Sequence, residues 1–454
     1  MKTIIAFLFI SIHCFSQTFE VVPLSGAGSD KRIKIAILGD GFTAAEQDDF
    51  MTSARSLLDT LFSRSPFSEY KNYFSAYGIK VISAESGVKH PGTASGETVT
   101  TPWEPITNPD NYLGSTFDTY DIHRCMYSYN SNKIEQVLLA NIPDYDIPLI
   151  IGNSTVYGGC GGWFATASRS PSSGKIATHE LGHTFGKLED EYWTITGESI
   201  NKTQNSDPAT IKWKNWIGIQ GIGIYPFTED PTWFRPHENC HMRSLYYPFC
   251  SVCKEGIIEK IHTLLSPVDS YTPSNTSSLD ATSPVTFTVN EILPVPNTLV
   301  NSWKLNNITL PSTGNTLTLN PSQLNAANNT LIFSVTDGTS LVNVDGHNTL
   351  HVTNIIWSLN TSTLHSMEIT AEEKRYELYP NPTEGIFYIK GRQNFKKDVK
   401  VEVYDTSGKL MNAQFIQKDP LTLTVNIRNL PAGMYVINVK ENKELMISQK
   451  MIKE

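Results

Sequence analysis

The chain has 454 residues, which exceeds the size of a single ordinary core and predicts about two to four domains. Hydrophobic residues make up 39% of the chain and charged residues 18%, a composition typical of globular proteins rather than disordered ones. The net charge of −9 provides no basic field to collect phosphates, which argues against a nucleic-acid or anionic-membrane partner.

Residues 1–17 have the pattern of a secretory signal peptide. Lys2 precedes an apolar run from Ile4 to Ile12, and the small and polar pair Ser16-Gln17 follows it. No later run reaches the length of about 18 apolar residues that a membrane-spanning helix needs. We therefore expect an exported chain without a transmembrane segment.

The next region, residues 18–266, alternates between strand and helix patterns. The predicted elements are a strand at 32–38, a helix at 43–62, a strand at 73–83, a helix at 133–140 and a buried strand at 147–151. This alternation predicts an α/β or α+β domain.

A glycine-rich segment follows at 157–167 and reads YGGCGGWFATA. Glycines before a small-residue strand allow another backbone to approach closely, as an edge strand requires when it pairs with an extended peptide. A surface loop explains the same residues equally well, so both interpretations stay open.

The segment from His179 to Tyr192 reads HELGHTFGKLEDEY and contains the strongest motif of the chain. On a helix, His179 and His183 leave the same face one turn apart and can bind one divalent ion. Glu180 is rotated by about 100° from His179 and can reach water on the ion, as a catalytic base does. A chance match on an ordinary helix is the alternative.

Gly186 is predicted to end this helix by adopting a left-handed conformation. The chain then returns three carboxylates toward the histidines, those of Glu189, Asp190 and Glu191. Two histidines and one carboxylate leave a zinc position open for water, which is typical of catalytic rather than structural sites.

The chain has six cysteines, and the first, Cys14, lies in the predicted signal peptide. The others are Cys125, Cys160, Cys240, Cys250 and Cys253. Export favours one or two disulfides, with at least one thiol unpaired. The spacing of Cys240, Cys250 and Cys253 also permits a structural zinc ion, with Cys160 or His241 as fourth ligand, but a disulfide is favoured there.

The same stretch contains Met242, which lies in a turn-rich segment before a helix predicted at 254–265. A methionine in a turn beneath a metal site can form an apolar floor under the ligating imidazoles, although such a residue is otherwise ordinary core. His241 is expected at the surface or in contact with a ligand rather than on the metal.

The second half of the chain is β-rich. Residues 267–281 are predicted as a linker, 282–360 as an immunoglobulin-like β-sandwich, 361–374 as a second linker and 375–454 as a small β-sandwich. The sandwich at 282–360 contains no cluster of titratable residues that resembles a site and is expected to serve spacing, binding or stabilisation.

Residues from about Thr18 to Leu265 resemble the IgA peptidase family of zinc metallopeptidases. The matching segments are 37–43, 157–159, 179–192, 240–243 and 249–253. The resemblance implies a metzincin-like domain with His179 and His183 as zinc ligands and Glu180 as catalytic base. The Asp-Glu-Tyr signature of the family indicates Asp190 as the third ligand, whereas the general metzincin spacing indicates Glu189.

In the same resemblance, Met242 corresponds to the metzincin Met-turn. The oxyanion that develops during hydrolysis needs a hydrogen-bond donor beside the metal, and Tyr192 is the candidate.

The final region, about 375–454, resembles the C-terminal sorting domain of the type IX secretion system. The segments that carry this resemblance are 379–385, 405–408 and 430–435. It implies export across an outer membrane by that machinery, followed by secretion or attachment at the cell surface.

Together these features predict a secreted zinc-dependent endopeptidase that hydrolyses extracellular proteins, with host glycoproteins or immunoglobulin among the possible substrates. The alternative is a surface adhesin or glycan-binding protein built on a peptidase-like domain without turnover. The β-rich second half supports that alternative, and the intact His179, Glu180 and His183 count against it.

Overall fold

The computed structural model describes residues 18–26, 31–95, 106–193, 197–312, 314–326, 328–361, 376–396, 398–406, 408–442 and 444–454. The predicted signal peptide, with Cys14, and nearly all of the predicted linker 361–374 lie outside these residues. The chain divides into two units, Met1–Ser362 and Thr363–Glu454. The protein is therefore multidomain and mixed α/β, with a β-rich C-terminal part.

A six-stranded sheet organises the beginning of the first unit. Its strands are β1 (Val21–Ser25), β2 (Ile33–Asp40), β3 (Phe74–Ile79), β4 (Ile147–Gly152), β5 (Gly159–Cys160) and β6 (Ala165–Ala167). They lie in the order β1-β3-β2-β4-β6-β5. The middle four strands are parallel, and β1 and β5 are antiparallel edge strands.

Four helices belong to this part of the unit. They are α1 (Gln47–Leu61), α2 (Ser131–Asn141), α3 (Ser173–Thr184) and α4 (Ser251–Leu264). Before α1, Thr43 and Glu46 form a capping box, in which the backbone N–H of Thr43 donates to the Glu46 carboxylate at 2.9 Å. The helix expected at 254–265 begins earlier, at Ser251.

Burial of β2 explains why its sequence is almost continuously apolar. All eight of its residues are buried. Ile35 and Ile37 pack in one core with residues of α1, α3 and α4, whereas Ala36 and Leu38 pack in a second core with residues of α2. Helices on both faces are what a parallel sheet requires, because neither face is left to solvent.

The rest of the first unit is mostly β. A small sheet pairs β7 (Tyr225–Pro226) with β8 (Phe234–Arg235). Two further sheets have the orders β14-β11-β9 and β10-β16-β15-β12-β13. Their strands are β9 (Val268–Thr272), β10 (Leu279–Asp280), β11 (Val285–Glu291), β12 (Leu299–Leu305), β13 (Ile308–Thr309), β14 (Thr316–Leu319), β15 (Asn328–Asp337) and β16 (Thr353–Asn360). Both sheets contribute to one core around Trp303 and Trp357.

Residues 267–281, predicted as a linker, are not one in this structure. They form β9 and β10, which pair with β11 and β16. Val268 is buried, and Asp269 forms an ion pair with Arg32 at 2.7 Å. The polar composition misled the prediction because edge strands of a sandwich expose one face to solvent.

A buried polar network connects α4 to these β-sheets. The carboxylate of Asp337, at the end of β15, accepts a hydrogen bond from the Tyr70 hydroxyl at 2.5 Å and contacts Nε2 of His262 at 3.0 Å. His347, in the short helix α5 (His347–Leu350), and His351 both contact the carboxylate of Glu259 on α4. The sequence did not predict this network, because its members are far apart in the chain.

The second unit contains eight described strands in two four-stranded sheets, ordered β17-β18-β22-β21 and β20-β19-β23-β24. They are β17 (Tyr376–Tyr379), β18 (Ile386–Gly391), β19 (Lys400–Tyr404), β20 (Leu410–Met411), β21 (Gln414–Asp419), β22 (Thr422–Asn426), β23 (Gly433–Glu441) and β24 (Glu444–Lys453). The β-rich character predicted for this region is therefore present. Strands β20 and β21 are mostly exposed and lack an apolar alternation.

Within the described ranges, no helix combines the length and apolar character needed to cross a membrane.

Candidate metal centre and cleft

Helix α3 carries both histidines of the sequence motif on one face. The rings of His179 and His183 lie 4.9 Å apart, centroid to centroid, and are nearly perpendicular. Their spacing of one helical turn produces this arrangement directly. The helix is mostly buried, since it packs against α1 and β6.

Asp190 completes a three-residue group with these histidines. Its Oδ1 atom lies 3.1 Å from Nε2 of His179 and 3.3 Å from Nε2 of His183. The donor atoms of the three residues converge closely enough to share one metal ion. Two imidazole nitrogens and a carboxylate oxygen are the donor set that a catalytic zinc ion prefers.

The other ring nitrogens of the two histidines are held by backbone carbonyls. Nδ1 of His179 lies 3.0 Å from the carbonyl oxygen of His241, and Nδ1 of His183 lies 2.8 Å from that of Leu188. Such contacts fix the proton on Nδ1 and leave the lone pair of Nε2 available to coordinate a metal ion. The sequence did not predict these positioning groups, because a carbonyl has no residue signature.

The pKa values of His179, His183 and Asp190 are shifted because the three side chains lie close together. Burial opposes protonation of His183, but the hydrogen bond and charge of Asp190 outweigh burial and raise its pKa to about 9. The pKa of His179 is raised for the same reasons. Burial disfavours the Asp190 carboxylate, yet hydrogen bonds from both histidines lower its pKa. The site thus favours positive charge opposite Asp190.

Glu180 is buried beside the histidines and lines the same cleft as His179. Burial raises its pKa, and attraction to His179 and His183 acts against that increase. A Cβ atom built on Gly161 would lie 2.8 Å from Oε2 of Glu180. The segment after edge strand β5 therefore passes directly beside the Glu180 carboxylate, which a side chain at position 161 would displace.

The helix ends differently from the prediction. Gly186 does not adopt the left-handed conformation; Lys187 does, with φ of 53°. Gly186 is required for another reason, because a Cβ atom there would lie 2.8 Å from the carbonyl oxygen of Gly182. The turn is closed by a hydrogen bond from the N–H of Leu188 to Gly182.

Glu189, the alternative third ligand, points elsewhere. Its carboxylate lies 3.5 Å from Nζ of the buried Lys202. Its backbone N–H and carbonyl both bond the side chain of Asn201. The structure brings Asp190, and not Glu189, to the two histidines.

Met242 lies under α3, with its side chain fully buried. Its Sδ atom occupies the space next to Gly182, between the two histidines in sequence. Its carbonyl oxygen accepts a hydrogen bond from the N–H of Glu191 at 2.9 Å. The segment that contains Met242 therefore contacts both the helix and the loop that carries Asp190.

A cleft of about 500 Å³ opens beside His179 and Glu180. Tyr192 lines it, as do Arg124, Lys175 and Arg243. The sequence did not single out these three cations, since they come from segments that are distant in the chain. Tyr192 interacts with Asp190 and Arg124, so its hydroxyl lies close to the metal-binding group.

A disulfide between Cys125 and Cys160 holds one wall of this cleft. It joins the segment that contains Arg124 to edge strand β5. The N–H of Gly159 also donates to the Arg124 carbonyl at 3.1 Å. Edge strand β5 is thereby fixed on one side and pairs with β6 on the other.

The favoured disulfide among the remaining cysteines is wrong, because Cys240, Cys250 and Cys253 are all free and buried. The two residues suggested as fourth zinc ligand are also occupied. Cys160 is in the disulfide, and the ring nitrogens of His241 lie beside backbone carbonyl oxygens. Glu191, the last of the three acidic residues, lies with the three thiols instead.

Comparison with known proteins identifies two matching segments. Residues 22–222 match the profile of the family described as IgA Peptidase M64, and residues 377–454 match that of the secretion system C-terminal sorting domain. The first segment includes the helix with both histidines and the loop with Asp190. A search of curated proteins finds no match.

Two solved structures are weakly similar to this chain. One is the Bacteroides ovatus mixed-linkage glucan utilization locus SGBP-B in complex with a mixed-linkage heptasaccharide, with 10% identity, a TM-score of 0.15, and coverage of 41% of this chain and 47% of that one. Another is the BSP domain of a biofilm associated protein, with 13% identity, a TM-score of 0.15, and coverage of 41% and 30%. The chain spans less than half of either structure, and neither similarity carries an argument about fold or function.

Proposed function

We propose that this chain, which carries an IgA peptidase M64 domain at residues 22–222 and a type IX sorting domain at 377–454, is an exported zinc-dependent endopeptidase. The sorting domain indicates secretion or attachment at the cell surface. The observation that carries the proposal is the convergence of His179, His183 and Asp190 beside a cleft that His179 and Glu180 line.

The three converging residues are the proposed zinc ligands. When bound there, Zn²⁺ supplies an acidified water and polarises the substrate carbonyl. The Nδ1 contacts with backbone carbonyls support this assignment, since they orient both Nε2 atoms inward. Met242, buried next to Gly182, is proposed to correspond to the metzincin Met-turn.

Glu180 is the proposed general base. Its carboxylate removes a proton from the attacking water and returns that proton to the leaving amine. Burial raises its pKa, which makes the return of the proton easier than it would be from a solvent-exposed glutamate. Tyr192 is the proposed donor to the developing oxyanion, supported by its place in the cleft beside Asp190.

The glycine-rich segment after β5 supports a peptide substrate. Strand β5 itself is bonded to β6 and to the Arg124 carbonyl, so it is not the strand that would pair with a peptide. The segment after β5 passes next to Glu180, so an extended peptide along this segment would place a carbonyl near the base. Host glycoproteins and immunoglobulin are proposed substrates on the strength of the family resemblance alone.

The two sheets after α4 are proposed to form an immunoglobulin-like module that supports the peptidase domain. The contacts of Asp337 with Tyr70 and His262 favour a supporting role, because they bury the Asp337 carboxylate between the two parts. Residues 375–454 are proposed as the bounds of the sorting domain.

The test is proteolysis by the zinc-loaded full chain against a broad panel of unfolded proteins and peptides, with Glu180→Gln as the decisive variant. Removal of the base should lower kcat by about 10²- to 10⁴-fold. Zinc content should remain at the wild-type level, because Glu180 is not a proposed ligand. A cleavage-site profile of the wild type would then define the substrate class.

Two results would contradict the proposal. One is a Glu180→Gln variant that retains full activity with zinc bound. The other is a wild type that contains zinc and cleaves nothing in the panel. If the latter protein bound a glycan or protein target, and the binding survived Glu180→Gln, the adhesin would be the better account.

A further inference from the structure

Beneath the catalytic group lie four side chains that could together bind a metal ion. None of them has a role in the proposed reaction. They are Glu191, Cys240, Cys250 and Cys253. All four are buried, and the exposed fractions of Glu191, Cys240 and Cys253 do not exceed 1%. Three thiols and a carboxylate in an apolar interior are costly unless a partner satisfies them.

Their separations match those of a tetrahedral zinc site. Sγ of Cys240 lies 3.6 Å from Sγ of Cys253, and the latter lies 3.4 Å from Oε1 of Glu191. Ligands at the usual Zn–S distance of about 2.3 Å are about 3.8 Å apart around a tetrahedron. One candidate ligand atom from each residue falls within 4.8 Å of the others.

The surrounding hydrogen bonds resemble those around a metal-bound thiolate. The N–H of Cys250 points at Sγ of Cys240, at 3.4 Å. Asn201 donates to Oε1 of Glu191 at 2.9 Å and orients the carboxylate. The second carboxylate oxygen, Oε2, is buried and accepts no hydrogen bond from any described residue. A cation would satisfy it.

We propose that Glu191, Cys240, Cys250 and Cys253 bind a second zinc ion in a closed, structural site. Four protein ligands leave no position for water, which distinguishes this site from the catalytic group. Cys250 caps α4 and Cys253 lies in its first turn, so a Cys-x-x-Cys pair at a helix start supplies two ligands. Binding releases the thiol protons, and no electrons are transferred.

The proposed ion joins three segments, two of which also build the catalytic group. Glu191 follows Asp190 directly, and Cys240 precedes Met242 by two positions. The N–H of Glu191 already bonds the carbonyl of Met242 at 2.9 Å. The structural ion would therefore hold the loop of Asp190 and the floor of Met242 against the start of α4.

Metal content and Co²⁺ spectroscopy on the full-length chain test this inference without any activity assay. The wild type should bind two equivalents of zinc, and His183→Ala should retain one. Co²⁺ bound to His183→Ala should show an ultraviolet thiolate-to-metal charge-transfer band, which the catalytic group cannot produce because it contains no sulfur. Adding Cys250→Ser to His183→Ala should abolish the band.

If the cysteine variant does not fold, Glu191→Gln tests the same site, because it removes a proposed ligand and keeps all three thiols. Glu189→Gln, two positions away, is the control. Loss of the charged ligand should weaken Co²⁺ binding at this site at least about ten-fold, and the control should not change it. Wild-type protein without a charge-transfer band would overturn the proposal. So would peptide mass spectrometry that finds a disulfide between any two of the three cysteines.

This test is independent of the proposed peptidase activity. A protein that binds zinc at both sites and cleaves nothing would disprove the proposed function alone. An active enzyme whose only zinc is lost in His183→Ala would disprove the structural site alone.

Discussion

Gly182 and Met242 are in direct contact: a Cβ atom built on Gly182 would lie 2.6 Å from Sδ of Met242. The two residues come from α3 and from a segment that follows it by sixty positions in the chain. Their contact sets the distance between helix α3, which carries His179 and His183, and the segment of Met242 that packs beneath it. It therefore links a glycine of the motif to the shape of the metal centre.

Gly182→Ala should destabilise the protein despite improving helix propensity. Alanine in a helix interior gains about 1 kcal/mol over glycine, but overpacking against Met242 costs about 1 to 3 kcal/mol. Chemical denaturation checks the net change. The double variant Gly182→Ala with Met242→Ala should lose less free energy of unfolding than the sum of the losses in the two single variants, because the shorter side chain at 242 removes the clash. Strict additivity would show that the two side chains do not clash.

Asp190→Asn and Glu189→Gln should differ in zinc affinity. Oδ1 of Asp190 faces both Nε2 atoms, so loss of its charge should weaken zinc binding by at least about 100-fold. Glu189 faces Lys202 and should leave the affinity unchanged. Competition with a chromophoric chelator measures both values. The opposite ranking would assign the third ligand to Glu189.

Removal of the Cys125–Cys160 disulfide should lower the free energy of unfolding by about 3 to 4 kcal/mol, since the bridge closes a loop of 35 residues. The double variant Cys125→Ser with Cys160→Ser tests this by urea denaturation. Zinc binding by the histidine pair should persist, because neither cysteine contributes to it. Unchanged stability would indicate that the unfolded chain is already compact in this segment.

The contacts of Glu259 with His347 and His351 should make stability depend on pH. Burial lowers the pKa of His347, but the bond to Glu259 outweighs it and raises that pKa above 6.5; burial likewise acts against the lowered pKa of Glu259. A raised histidine pKa stabilises the fold below pH 6.5, and this contribution is lost as pH rises through the folded value. A lowered glutamate pKa stabilises above pH 4.5 and is lost as pH falls through its folded value.

The contact between Glu259 and His347 should therefore contribute most to the free energy of unfolding, about 1.5 to 3 kcal/mol, between about pH 4.5 and 6.5. The measurement is the melting temperature of the wild type and of Glu259→Gln across this range and up to pH 9. The difference between them should be largest near pH 5.5 and shrink as pH rises. Asp337 and His262 also face His347, so Glu259→Gln isolates the pair from them. A difference that grows with pH would contradict the assignment.

Much of the fold was predictable from local pattern. The apolar run of β4 and the alternation in β18 and β22 identify strands because burial on one or both faces leaves a period in the sequence. The segment 267–281 was predicted wrongly, since its strands are short and lie at sheet edges where polar residues suffice. The free cysteines near α4 were assigned to a disulfide because an oxidising compartment favours one, and sequence spacing cannot exclude it.

The sequence by itself determined the helical pair His179 and His183 and the neighbouring Glu180, because the period of a helix converts spacing into direction. Only the tertiary structure decided between Glu189 and Asp190, since the turn at Lys187 sets which carboxylate returns to the imidazoles. The tertiary structure alone also brought Glu191 to the three thiols and Met242 beneath Gly182. Those contacts join residues far apart in the chain, and no local period records them.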